Sequence, residues 1–203
     1  MVLSLFIILG VAAIIWLLAD ESRQTELDKI MTILKDMTPS AEFSWLHHAN
    51  SILKLEVEIK CKDIWIVSPH LLNDTGSTYS GGKHGVSTIT TVEKNLKRKV
   101  TYTFIIPDTE IMEERLSHLY RNHVPYGKQL RVIKLPQATF QSLGLAISEL
   151  VIYNPNMEAG HRPQVFMQLP VVDSYKYWIE IDDHEAFDVV ARVRKVVEEN
   201  VAT

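Results

Sequence analysis

The sequence predicts an α/β protein in which an N-terminal transmembrane helix and a stalk lead into a Rossmann-like domain built on a mostly parallel sheet. Three observations carry this reading. Residues 1–19 hold no charged side chain; from Asp63 onward short β-branched runs alternate with helical patterns; and those runs are apolar throughout, as strands buried on both faces are. The chain therefore divides into a transmembrane helix at 1–19, a juxtamembrane stalk helix at 20–38 and a Rossmann-like domain at 39–203.

Nineteen helical residues rise roughly 28 Å, close to the ~30 Å hydrocarbon thickness of a bilayer. Asp20, Glu21 and Arg23 end the apolar run, only Ser4 and Gly10 interrupt it, and Trp16 sits near one edge as interfacial aromatics do. A cleaved signal peptide is the main competitor, but it wants Lys or Arg ahead of the apolar core, and none is there. A buried core helix is the third reading. No Lys or Arg precedes the span, whereas Arg23, Lys29 and Lys35 follow it closely, so the expected topology is single-pass in the cell membrane, N-terminus outside and domain cytoplasmic. The single cysteine, Cys61, cannot form an internal disulfide and suits a reducing compartment.

Net charge is −4 with 23% charged residues, figures diluted by the uncharged segment, and no basic bias advertises nucleic-acid binding. In the stalk, Leu27, Ile30, Leu34 and Met37 recur at three- and four-residue steps, a short a/d-type seam. It fits either packing on its own domain or self-association beside the membrane. Pro39 breaks that helix, and residues 40–60 read as a second one, with Phe43, Leu46, Ile52 and Leu55 as its apolar set.

Strands are expected at 64–67, 100–106, 130–135, 150–153, 165–169 and 177–181. Helices are expected at 86–97, 109–121, 140–148 and 183–200, the last burying Phe187, Val190, Val193 and Val197.

In open α/β sheets ligands lie outside the carboxyl ends of the strands. The segment after the first apolar strand, residues 68–85, is long, rich in hydroxyls, and holds four of the eight glycines. Glycines let backbone N–H groups approach an anion, Asn73 and the hydroxyls supply directional hydrogen bonds, Lys83 supplies a full positive charge, and the next helix adds its N-terminal dipole. This is a phosphate cradle by composition, although neither a Walker loop nor a dinucleotide fingerprint is present, and a plain flexible connector is the alternative. Pro107 and Asp108 follow the second strand and are read as a cap for the 109–121 helix. Lys94, Lys97, Arg98 and Lys99 close a helix and are read as complementing its dipole.

Hydrolytic signatures are lacking. His47 and His48 point apart on a helix, His118 and His123 are five apart, and no His/Cys set has zinc spacing, so no metal is expected. There is no Gly-x-Ser-x-Gly elbow and no His-x-Lys pair followed by Asp, and no catalytic residue is assigned.

The strand end Ile64-Trp65-Ile66-Val67-Ser68-Pro69 with its polar loop, the Asn95-Leu96-Lys97-Arg98 helix feeding residues 100–107, and the anchor-then-domain layout resemble the CARF-domain membrane effectors of type III CRISPR systems, CARF being the CRISPR-associated Rossmann fold. The resemblance implies a homodimer or tetramer that binds a cyclic oligoadenylate, typically cyclic tetra-adenylate, across its two-fold axis, and an antiviral output that permeabilises or depolarises the membrane. It places the ligand contacts on Ser68, Asn73, Thr75, Ser77, Gly81, Gly82 and Lys83, with Asn154 after the 150–153 strand as a second contact. The expected partners are the lipid bilayer, the cyclic oligoadenylate and further copies of the chain, with no DNA or RNA duplex.

Binding would act by population shift: a symmetric tetra-anion biases anchor and stalk only as far as it prefers the active arrangement. If several anchors line a pore, Asp20 and Glu21 form an acidic ring at its cytoplasmic mouth, against the simpler reading of a solvated charge pair. Rival classes are a membrane-tethered enzyme that cleaves a cyclic nucleotide, a constitutive membrane-anchored adaptor, and an inactive phospholipase-D-like domain.

Overall fold

The computed structural model describes residues 46–71, 83–144, 148–168 and 177–201, all within the unit Trp45–Leu169 with Asp173–Thr203. The anchor and stalk expectations, with Asp20 and Glu21, lie outside the described residues. Among the described residues no helix is long and apolar enough to cross a membrane.

The first elements are a short strand β1 (Leu46–His48) and a helix α1 (Ala49–Glu58), so the single helix expected at 40–60 is a strand followed by a helix. β1 lies antiparallel beside β7 (Tyr177–Glu180), pinned by His47 Nε2 at 3.0 Å from Glu180 Oε2 and by the His47 ring set edge-on to Phe166. Long-range pairing has overridden the local helical pattern there.

Then follow β2 (Asp63–Val67), α2 (Lys83–Lys97), β3 (Thr101–Pro107), α3 (Glu110–Asn122), a 3-10 segment (Val124–Gln129) and β4 (Leu130–Leu135). After them come α4 (Gln137–Ser142), β5 (Leu150–Tyr153), a 3-10 turn (Glu158–Gly160), β6 (Gln164–Gln168), β7 and α5 (Asp183–Val201).

These strands form one seven-stranded sheet in the order β1-β7-β6-β5-β2-β3-β4. Only β2–β3 and β3–β4 are parallel; β2–β5, β5–β6, β6–β7 and β1–β7 are antiparallel, so the sheet is mixed rather than mostly parallel. β4 ends at the carboxyl edge of the parallel strands, and β5 starts at that same edge and runs back down beside β2. All four of its residues are buried, and a run buried on both faces looks the same from sequence whichever way it points.

Each face carries its own core. Ile64, Ile66, Phe104, Ile106, Val151 and Phe166 pack beneath α1, α2 and α3 through Ile52, Leu96, Met112, Leu116 and Leu119. Val67, Ile105, Leu150, Ile152 and Val165 pack against Phe140 of α4 and Ala186, Val190 and Val193 of α5. Phe187, expected in that stripe, is exposed, and Ala186 takes its place. α4 starts three residues earlier than the expected 140–148 helix because Pro136 stands as its N-cap.

Candidate functional site

At the carboxyl edge of β2 the chain is locked before the long polar segment begins. Ser68 is fully buried, and its N–H donates to the Ile105 carbonyl at 3.0 Å. Its hydroxyl donates to Glu149 Oε2 at 2.6 Å and accepts the Leu71 N–H at 2.8 Å. Leu71, also fully buried, takes a left-handed φ of 49°. A leucine with positive φ is strained, and the anchored hydroxyl compensates by fixing the turn.

Glu149 belongs here because β5 is antiparallel: the residue before that strand, not the one after it, stands at the carboxyl edge of β2. Its carbonyl accepts the Gln168 N–H at 2.8 Å, which brings the end of β6 into the same edge. From α3, Arg115 donates to the His70 carbonyl at 2.5 Å. Burial first, and the Arg115 charge second, push the His70 imidazole down to about 4, so it is neutral at physiological pH.

Beside this lock lies a cleft with a cavity volume of about 410 Å³, lined by Pro69, Pro107, Thr109, Met112, Gln137 and Phe140 among others. It opens outside the carboxyl ends of β2 and β3, where open α/β sheets take ligands. Thr109 stands at the N-cap of α3 in extended conformation without a side-chain capping bond, and Asp108 donates its N–H to the Leu135 carbonyl, so the expected side-chain cap is not formed.

Of the residues expected to hold a ligand, Ser68 is at this edge and Lys83 opens α2. Asn73, Thr75, Ser77, Gly81 and Gly82 lie outside the described residues. Asn154 is not brought to them. It follows β5 at the amino edge, where its N–H donates to the Asp63 carbonyl at 3.2 Å. Five residues of register separate it from Ser68, roughly 17 Å along the strand. Its side chain serves its own turn: Oδ1 accepts the Glu158 N–H at 2.9 Å, Nδ2 donates to the His161 carbonyl at 2.7 Å, and φ is 54°.

The sequence reading also missed a second buried polar cluster, under α1. Glu56 accepts from the Tyr102 hydroxyl at 2.5 Å and the Tyr153 hydroxyl at 3.0 Å, while Asn95 Nδ2 donates to Tyr102 Oη at 2.8 Å and to the Glu56 carbonyl at 3.1 Å. Burial raises the Glu56 carboxyl above its ordinary range against the opposing pull of these donors. The cluster is sealed from solvent, which suits pinning α1 rather than meeting a substrate. Glutamates at 56 and 149 carry no motif, so only knowledge of strand direction and helix packing could have found them.

Among the described residues no group of three His, Cys, Asp or Glu side chains could hold a metal. Ser68, with its hydroxyl hydrogen directed to Glu149 and no exposed surface, is shaped to position the backbone rather than to attack a substrate.

No family model and no curated protein matches the chain. Among the solved structures that match is TrmBL2, described as an archaeal chromatin protein with a novel mode of DNA binding, at 13% identity and a TM-score of 0.40, covering 88% of this chain. The chain spans 62% of the length of that protein. The expectation that a DNA duplex is excluded as a partner is corrected accordingly, since a matching structure belongs to a DNA-binding protein, and the exclusion is withdrawn. A likeness of this size assigns no DNA binding to the present chain.

Proposed function

We propose that this protein is a ligand-gated membrane effector whose α/β domain binds, without cleaving, a cyclic oligoadenylate at the carboxyl edge of β2. The observation that carries the proposal is the Ser68–Glu149–Leu71 lock, which fixes the starting point of the glycine- and hydroxyl-rich segment at the edge where such sheets bind ligands. A fixed root lets ligand contacts on that segment pull on α2, which follows it directly. The CARF resemblance supplies the ligand class, cyclic tetra-adenylate, and the output, opening of the membrane to ions through an N-terminal anchor at residues 2–19.

The test is thermal melting of the full-length chain in detergent against cyclic tetra-adenylate, cyclic hexa-adenylate, a cyclic dinucleotide, AMP and a short DNA duplex. A ligand at a hundred times its dissociation constant stabilises by ~2.7 kcal/mol. The proposal expects that shift with a cyclic oligoadenylate and none with AMP. A shift with the duplex alone, or with nothing, replaces it with a DNA-binding or adaptor reading, and fragments of the ring in mass spectrometry replace it with an enzyme.

A further inference from the structure

We propose that the amino edge of the sheet is a docking surface for the headgroup region of an anionic lipid bilayer. α1, α2 and α3 each follow or precede a strand so that all three run from the carboxyl to the amino edge, and their C-terminal turns gather there. That gathering brings the exposed side chains of Lys60, Lys94, Lys99, Arg121 and Lys128 to the β2–β3–β4 end of this edge, while Glu180, Asp182 and Asp183 occupy its β7 end.

Helix dipoles and ion pairs account for part of this charge only. Lys94 and Lys97 lie in the last turn of α2 and Arg121 in that of α3. Lys97 pairs with Glu93 at 2.8 Å and Lys62 with Glu158 at 3.4 Å, and Arg98 donates to the carbonyls of Val57 and Ile59 at the end of α1. Lys60, Lys99 and Lys128 lie outside any α-helix, and among the described residues none of them meets a carboxylate. Lys99 holds a left-handed φ of 67°, a conformation glycine would take more easily at a helix end.

The second observation is apolar. Between Arg121 and Lys128 in sequence, Val124 is 72% exposed, and Tyr120 in the preceding turn is 43% exposed. A bilayer interface takes both an apolar tip and a positive charge.

The test uses the full-length chain reconstituted into vesicles, with Cys61→Ser and a single Val124→Cys carrying an environment-sensitive fluorophore, and Ile111→Cys as the control. Ile111 is 59% exposed at the carboxyl edge. The expected result is a blue shift at position 124 on phosphatidylserine-rich vesicles, absent on phosphatidylcholine, reversed by high salt, and absent at position 111. Lys99→Gln with Lys128→Gln cuts the docked population roughly 25-fold, about fivefold per charge. No response at 124 to phosphatidylserine, an equal response at 111, or an equal response at 124 to added DNA duplex on phosphatidylcholine overturns the proposal. Alkaline carbonate extraction of the same vesicles reports the anchor separately, so loss of the anchor and loss of the docking surface are told apart.

Discussion

At the scale of single residues, buried hydrogen bonds to carboxylates decide most of the local outcomes. Ser68→Ala removes the donor to Glu149 and the acceptor for Leu71, and leaving a buried polar group unsatisfied costs about 1–3 kcal/mol. Chemical denaturation should show a loss of that size. Glu56 gives a paired test. Glu56→Ala leaves the Tyr102 and Tyr153 hydroxyls buried and unpaired and should lose roughly 3–5 kcal/mol. Glu56→Gln keeps an acceptor and a similar volume, and should stay within about 1.5 kcal/mol of wild type at pH 7.

The same residues set the pH dependence. His70 is held neutral down to about 4, and His123, buried with neither ring nitrogen bonded, is shifted in the same direction by burial. The unfolded chain takes up these protons near pH 6.5 while the folded one resists, so the stability they allow is complete above pH 6.5 and falls as pH drops toward about 4. His70 accounts for at most ~3 kcal/mol of that loss, less what solvent screens. Urea midpoints measured across this window should fall with acid, and fall less steeply in His70→Gln. Glu56, raised by burial, acts oppositely, weakening the fold as pH rises above its ordinary value near 4.5.

At the scale of elements, the lesson is that apolar runs reveal where strands are but not which way they point. Residues 64–67, 130–135 and 150–153 read as strands because they are β-branched and buried, and they are strands. The reversal of β5 was hidden, and with it went the placement of Asn154 and the discovery of Glu149, one at each end of the same strand. The α4 helix shows the limit in the other direction: six residues are too few for a periodic signal, and its position follows from Pro136 and from Phe140, its single buried residue. Phe140→Ala should therefore release α4 from the sheet and lose about 3–5 kcal/mol, with hydrogen exchange rising across 137–142.

At the scale of the whole molecule, two edges of one sheet carry different chemistry. The carboxyl edge roots the polar segment through Ser68, and the amino edge gathers lysines, Val124 and the start of β1. Composition alone pointed to the first, since glycines and hydroxyls concentrate in one segment. It could not show the second, because cations scattered over residues 60–128 in sequence converge only when three helices end at one edge. Titration calorimetry of cyclic tetra-adenylate into the full-length protein, beside a Gly81→Val, Gly82→Val variant, decides whether the carboxyl edge binds the ring. Saturable binding at one ligand per two chains is expected, weakened at least tenfold in the variant. No heat with the unaltered chain, or equal affinity in both, contradicts it.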